Sequence, residues 1–243
     1  MPPERASKGP GIKGGGIAAV GAGIGFAASI AVAIGFLIAT SGHLDDQNPW
    51  YLLSSQLALW AGFVCAPIVA SRQNGTRSLV RDFGLSWPRW RDLYRGLAGG
   101  LLGRLPPTLV LLLLVLATHG LNTSTAAGRQ IGGVTPEGTA GWIVSALILV
   151  VGAPVIEELF FRGLVQGAFT RRVGAIPAIF VTALIFSIAH ILNEGPFAPL
   201  VIFPGALVLG YLRHRYGRLA PGMVAHGVFN ALGFALLLVP GFR

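Results

Sequence analysis

The sequence predicts an all-α membrane protein, a polytopic bundle of about seven transmembrane helices (six to eight) with a cytoplasmic N-terminus. Of its 243 residues, 53% are hydrophobic and only 11% are charged, and the mean hydropathy is +0.69. Soluble domains carry about 25% charged residues, so the composition argues against a soluble globular enzyme. The length of the apolar runs and the placement of the basic residues point the same way.

Seven apolar runs follow one another along the chain, most of them close to the roughly 20 residues that a bilayer span needs. The first is too long for the core of a signal peptide, so we expect a retained helix. The preceding residues 1–16 are rich in proline and glycine and predict a flexible tail. The runs cover residues 17–40, 51–71, 100–118, 140–170, 174–192, 197–212 and 219–239.

The basic residues predict the orientation of these spans. If the N-terminus is cytoplasmic, 14 of the 18 lysines and arginines fall in cytoplasmic segments, as the positive-inside rule requires. The net charge of +9 therefore reports topology, and we expect no nucleic-acid partner. Arg104, at the start of the third run, is expected to snorkel to an interface.

The pattern divides the chain into a tail at 1–16, N-terminal transmembrane helices at 17–139 and a transmembrane core at 140–239. A basic cytoplasmic loop at 72–96 interrupts the second segment, and its tryptophans fit either a surface helix at the lipid headgroups or an ordinary interfacial loop. Cys65 is the single cysteine, so neither an intrachain disulfide nor a cysteine-based metal site is expected.

Charged residues inside the fourth run mark the first candidate site. Glu157, Glu158 and Arg162 lie in the apolar segment 151–163, where ionisable groups are costly and by default functional. Helical spacing places Arg162 one turn beyond Glu158, which predicts a structural ion pair. Glu157 points about 100° away from Glu158 around the helix and is left without a local partner, which suits a general base.

The fifth and seventh runs supply polar partners. Phe186 and His190 are four residues apart, as are His226 and Asn230, so each pair shares one helical face. A single histidine in a membrane helix more often makes an interhelical hydrogen bond than acts as a catalyst. Two histidines, an unpaired glutamate and an asparagine in three neighbouring spans predict a functional cluster.

These three motifs, Glu-Glu-x-x-x-Arg at 157–162, Phe-x-x-x-His at 186–190 and His-x-x-x-Asn at 226–230, resemble the CPBP family of intramembrane proteases. That family includes the type II CAAX prenyl proteases and the bacteriocin-processing and immunity proteins of bacteria. The resemblance covers roughly residues 140–235 and makes this part a CPBP-like catalytic core. It implies an intramembrane endopeptidase that acts on a membrane-associated protein or peptide.

The resemblance also implies roles for individual residues. Glu157 and His190 would activate water, while His226 and Asn230 would stabilise the oxyanion. Glu158, Arg162 and Phe186 would support them. Two versions of the chemistry stay open: a metal-free glutamate-type protease without a cofactor, which we favour slightly, and a zinc enzyme with Glu157, His190 and His226 as ligands.

Two further function classes compete with a protease. A non-proteolytic scaffold or bacteriocin-immunity protein could keep the same fold and bind a membrane partner. A proton-coupled transporter could use intramembrane Glu and His as a relay, although matching broken helices in two halves are not apparent. The prevalence of arginine among the basic residues, 16 of 18, favours a bacterial source and hence the plasma membrane as the location.

Overall fold

The computed structural model describes residues 13–42, 48–117, 138–191 and 195–236. Within these ranges the chain is helical and contains no β-strand, which confirms the all-α class. The helices are α1 Lys13–Ala39, α2 Pro49–Asn74, α3 Leu79–Phe83, α4 Trp90–Gly103, α5 Leu105–Ala117, α6 Gly138–Val173, α7 Ala175–Ala189, α8 Ala198–Tyr216 and α9 Ala220–Leu236.

All seven predicted apolar runs fall on helices in the part of the chain that the structure describes. Four helical segments are long and apolar enough to cross a membrane, as judged by length and composition. Helix α7 is apolar but has only 15 residues. The protein is a polytopic helical membrane bundle, and the count of seven spans and the orientation stay predictions. The four segments are Gly15–Ala39, Trp50–Asn74, Trp90–Leu114 and Gly138–Val173.

Helical structure extends into two segments that the apolar pattern did not assign to a span. Helix α1 begins at Lys13, so residues 13–16 are helical although they were expected in the flexible tail; residues 1–12 lie outside the described residues. The basic segment 72–96, for which a surface helix and a loop were both considered, contains α3 and the first turns of α4. Some of its charged side chains contact neighbouring groups. The Arg95 guanidinium, for example, lies 4.3 Å from the ring centroid of Tyr216.

Glycines on α4 set the position of α9, the helix that carries two of the predicted catalytic residues. Gly96 and Gly100 are buried, and a Cβ at Gly100 would lie 2.6 Å from the Cβ of Val228. A Cβ at Gly96 would meet Val224 at an equally impossible separation. The absence of side chains at these positions therefore lets the two helices approach closely, as small residues do between membrane helices.

Stacked aromatic rings connect α2, α6 and α7 beneath the predicted site. Phe63 lies parallel to Phe160 with 4.3 Å between ring centroids, and Phe161 meets Phe186 edge to face at 5.0 Å. These rings are buried, and edge-to-face and offset contacts of this kind add to the stabilisation from buried area. They fix Phe186, and through it the end of α7, against α6.

Helix α6 departs from regular α-geometry on both sides of Glu157. Leu147–Gly152 and Glu158–Val165 form π-helical turns, with a short α-helical segment, Ala153–Glu157, between them. A π turn inserts an extra residue, weakens the regular backbone ladder and is frequent at functional sites. The backbone around Glu157 is therefore irregular where the site is built.

Candidate active site

A pocket of about 260 Å³ lies where the helices meet, and it brings the predicted catalytic residues together. Its lining comes from six places in the chain: α2, the junction of α4 and α5, α6, α7, α8 and α9. Glu157, His190, His226, Asn230 and Phe186 all contribute to its wall. Tertiary packing thus brings the predicted catalytic residues, which are up to 73 positions apart in the sequence, into one cavity.

Glu157 presents its carboxylate to this pocket. Its side chain is 13% exposed, and Oε2 lies 3.9 Å from Nε2 of His226. That separation is longer than a hydrogen bond, and Oε2 accepts none from the residues that the structure describes. The expectation that Glu157 lacks a local partner on its own helix agrees with this geometry, and its neighbour comes from α9.

Glu158 and Arg162 form the predicted ion pair. Arg162 Nη1 lies 3.0 Å from Glu158 Oε1, and both side chains are 0% exposed. The guanidinium carbon also lies 4.2 Å from the ring centroid of Phe186, a cation–π distance. The pair is not part of the pocket lining. Its two opposite charges compensate each other in the protein interior, where water does not reach them.

Glu158 has a second role that helical spacing did not predict. Nδ1 of His226 lies 3.2 Å from Glu158 Oε1, and both groups are buried. Because an ionised carboxylate only accepts hydrogen bonds, Nδ1 carries the proton. Nε2, which faces Glu157, can then donate a hydrogen bond only when the ring is doubly protonated. Glu158 is therefore a direct orienting group for His226 as well as the partner of Arg162.

His190 lies at the C-terminal end of α7, where the helix stops. Its Nδ1 lies 2.7 Å from the carbonyl oxygen of Phe186, and the two rings are 4.5 Å apart between centroids. A carbonyl cannot donate, so Nδ1 is the protonated nitrogen and Nε2 has the acceptor lone pair. The Phe-x-x-x-His spacing thus fixes the tautomer, since the residue one turn back supplies the carbonyl.

Asn230 ties α9 to the first π turn of α6. Its Nδ2 donates to the carbonyl oxygen of Leu149 across 2.7 Å, and Leu149 belongs to that turn. The side-chain amide thus supplies a hydrogen bond to the backbone in the irregular part of α6. The amide nitrogen has a second hydrogen, and Asn230 also lines the pocket.

The arrangement does not fit a zinc ion on the three residues considered as ligands. Within the described ranges, no group of three His, Cys, Asp or Glu side chains is placed so that it could hold a metal. His226 donates from Nδ1 to Glu158, a contact that metal-binding histidines also make with their second nitrogen, and its Nε2 is 3.9 Å from the Glu157 carboxylate. The set Glu157, His190 and His226 shares a pocket without forming a coordination shell.

Three residues near the site escaped the motif analysis. Gln56 and Arg104 line the pocket, whereas Arg104 was expected at a lipid interface. A Cβ at Gly222 would lie 2.8 Å from Glu158 Oε2, so this glycine leaves room for the buried carboxylate. Only Arg104 had a usable signal in the sequence, because it is a charged residue within the Trp90–Leu114 membrane segment.

Comparison with known proteins gives one family. Residues 139–232 match the family model described as Rce1-like, type II CAAX prenyl endopeptidase. The match spans the three motifs, so this part of the chain is similar to the family that the motifs resemble. A search of curated proteins and a search of solved structures found no match.

Proposed function

We propose that this protein, whose residues 139–232 match the family model described as Rce1-like, type II CAAX prenyl endopeptidase, hydrolyses a peptide bond of a membrane-associated protein or peptide. The observation that carries the proposal is the shared pocket, in which Glu157, His190, His226 and Asn230 meet inside an apolar helical bundle. The membrane in question is the plasma membrane, if the source is bacterial as the composition indicates.

Glu157 and His190 activate the water. Both residues line the pocket, and we assign the Glu157 carboxylate and Nε2 of His190, whose Nδ1 contacts the Phe186 carbonyl, as the two acceptors for the hydrogens of a water molecule. Glu157 takes the proton as the water oxygen bonds to the substrate carbonyl carbon, which is general base catalysis. The same proton then passes to the leaving nitrogen as the carbon–nitrogen bond breaks.

His226 and Asn230 stabilise the oxyanion. Asn230 donates its second amide hydrogen, while its first holds the Leu149 carbonyl. His226 donates from Nε2 in its doubly protonated form, with Nδ1 on Glu158. Donors fixed before the reaction are effective because they need no reorganisation as charge develops.

The test is cleavage of a synthetic peptide library by the full-length protein in vesicles of phosphatidylethanolamine and phosphatidylglycerol, with products identified by mass spectrometry. We expect Glu157→Gln to lower the cleavage rate by about 10²–10⁴-fold, the contribution typical of a positioned acid–base group. Glu4→Gln, the same chemical change far from the matched segment, serves as the control and should cleave normally. Equal cleavage by Glu157→Gln and the control would contradict the proposal, and no cleavage by the unmodified protein would favour the scaffold alternative.

A chelator separates the two versions of the chemistry. We propose the metal-free version, because Glu157, His190 and His226 do not form a group placed to hold a metal ion among the residues that the structure describes. Cleavage should therefore persist after dialysis against EDTA or 1,10-phenanthroline. Loss of cleavage that added zinc restores would instead support Glu157, His190 and His226 as ligands.

A further inference from the structure

A second cavity, which we call the lateral groove, lies on a different face of α9 from the catalytic pocket. It has a volume of about 760 Å³, and its wall comes from α3, α6, α9 and the connection between α3 and α4. Gly227 and Ala231 line this groove, whereas the preceding residues His226 and Asn230 line the catalytic pocket. Consecutive residues point about 100° apart around a helix, so α9 separates two distinct cavities.

The lateral groove runs along α9 from one end of the helix. Met223 and Ala231 both line it, and their separation of eight residues spans about 12 Å. The end at Met223 adjoins the connection between α3 and α4, because Arg218 Nη2, just before α9, donates to the Trp87 carbonyl oxygen across 3.1 Å. Trp87 is 92% exposed, and exposed tryptophans of membrane proteins are enriched at the headgroup level. The groove therefore leads from the membrane interface toward the interior of the bilayer.

The wall of the lateral groove fits a hydrocarbon chain better than a peptide. Of the side chains that the structure describes along it, Ser86 and Trp87 carry polar groups and the others are apolar. A peptide would bring backbone N–H and C=O groups that find few partners there, and burying such groups without hydrogen bonds is costly. A hydrocarbon chain has no such groups and gains from the burial of its apolar surface.

Positive charge surrounds the interfacial end of the groove. Residues 72–96 include six arginines and two aspartates, and both aspartates are buried and bound to neighbouring groups. Arg89 and Arg91, which follow the groove-lining Pro88, are exposed. The Arg91 guanidinium carbon lies 5.6 Å from the ring centroid of Trp90. The exposed charge at this end is therefore positive and complementary to an anion.

We propose that the lateral groove binds an acyl chain of an anionic phospholipid, with the phosphate held by Arg89 and Arg91. Guanidinium groups match the geometry of phosphate, and clustered basic residues next to a membrane segment attract anionic lipids. The inference does not depend on the proposed protease function, because it concerns a separate cavity and its test needs no cleavage.

The test is native mass spectrometry of the full-length protein in detergent with added dioleoyl-phosphatidylglycerol or dioleoyl-phosphatidylcholine, which have the same acyl chains. We expect phosphatidylglycerol to be retained at least 5-fold more tightly. Arg89→Gln/Arg91→Gln should remove this preference, because one basic residue near an anionic lipid surface contributes about 5-fold in affinity. Arg171→Gln/Arg172→Gln makes the same charge change at the end of α6, outside the groove, and should keep the preference.

A second pair of variants tests the acyl-chain site itself. Val155 lines the groove and is 42% exposed, so Val155→Trp should fill the groove and weaken the retention of both lipids. Val20 on α1 is 63% exposed, and Val20→Trp is the matched control that should retain phosphatidylglycerol like the unmodified protein. If Val155→Trp and this control retain it equally, the acyl chain lies elsewhere and the proposal is overturned.

Photo-crosslinking of the unmodified protein decides the question if a variant fails to fold. Phosphatidylglycerol with a diazirine in one acyl chain should attach to α9 at residues 223–231 or to α6 at residues 150–155. Attachment confined to other segments, or equal retention of the two lipids, overturns the proposal. A dimer that binds no lipid and that Val155→Trp dissociates would assign the groove to a second copy of the chain, which also overturns it.

Discussion

Glu157 and Glu158 are chemically identical neighbours that the fold gives different surroundings. Glu158 is 0% exposed, with Arg162 at 3.0 Å and His226 at 3.2 Å. Glu157 is 13% exposed and has His226 only at 3.9 Å. One carboxylate is therefore held by two partners, while the other keeps acceptor capacity facing the pocket.

Glu158→Gln should destabilise the protein more than any change at Glu157. It leaves the Arg162 charge buried without its counter-charge, and breaking a buried pair from one side typically costs about 3–5 kcal/mol. Urea or SDS unfolding of the purified protein in detergent measures the change in the free energy of unfolding. Glu157→Gln is the matched control and should unfold close to the unmodified protein.

The double variant Glu158→Leu/Arg162→Leu distinguishes stability from activity. Replacing both charges by apolar groups often restores stability, so we expect it to unfold near the unmodified protein. It should remain inactive because His226 has lost the acceptor for Nδ1. Full activity in this variant would show that the contact between Glu158 and His226 has no part in catalysis.

Among the elements, α4 and α9 have the packing that most directly positions the site. Gly100 lies against Val228, two residues before Asn230, and a Cβ at Gly100 would be 2.6 Å from the Cβ of Val228. Because the obstructing atom is next to the backbone, a rotamer change cannot remove the overlap. Any side chain at position 100 would move α9 and the residues that it carries.

Gly100→Ala should therefore lower both stability and activity. We expect a loss of about 1–3 kcal/mol, typical of overpacking, together with reduced cleavage, since His226 and Asn230 shift with α9. Gly99→Ala is the control on the neighbouring residue, because its Cβ would meet the flexible end of Leu212 at 2.9 Å. If the two variants have the same free energy of unfolding, the close approach of α4 and α9 at Gly100 does not determine the stability of the protein.

At the scale of the whole molecule, the orientation in the membrane follows from the basic residues and awaits measurement. Three exposed positions near helix ends can report on the two sides of the membrane. Thr40 lies at the end of α1, Gln73 near the end of α2 and His214 near the end of α8. The predicted topology places the first outside and the other two inside.

Cysteine labelling tests this orientation. In a Cys65→Ser background, Thr40→Cys should react with a membrane-impermeant maleimide in intact cells, whereas Gln73→Cys and His214→Cys should react only after permeabilisation. The positive-inside rule is the physical basis for this expectation. Labelling of Gln73→Cys in intact cells would reverse the orientation.

The sequence predicted some features fully and others in part. The pair of Glu158 and Arg162 followed from helical spacing alone, since both residues lie on one helix. The contact between Glu158 and His226 could not be predicted in this way, because it joins residues 68 positions apart. The early start of α4 was missed because its charged residues interrupt the apolar pattern although the helix continues through them.

The sequence by itself determined the all-α membrane class and the residues that carry polar groups into apolar helices, because each depends on composition or on spacing within one helix. Only the tertiary structure decided which of these groups meet, that His226 contacts Glu158 and lies near Glu157, that Asn230 holds a π turn of α6, and that Arg104 lines the pocket. These facts depend on how helices rotate and approach one another, and packing between distant segments sets that geometry.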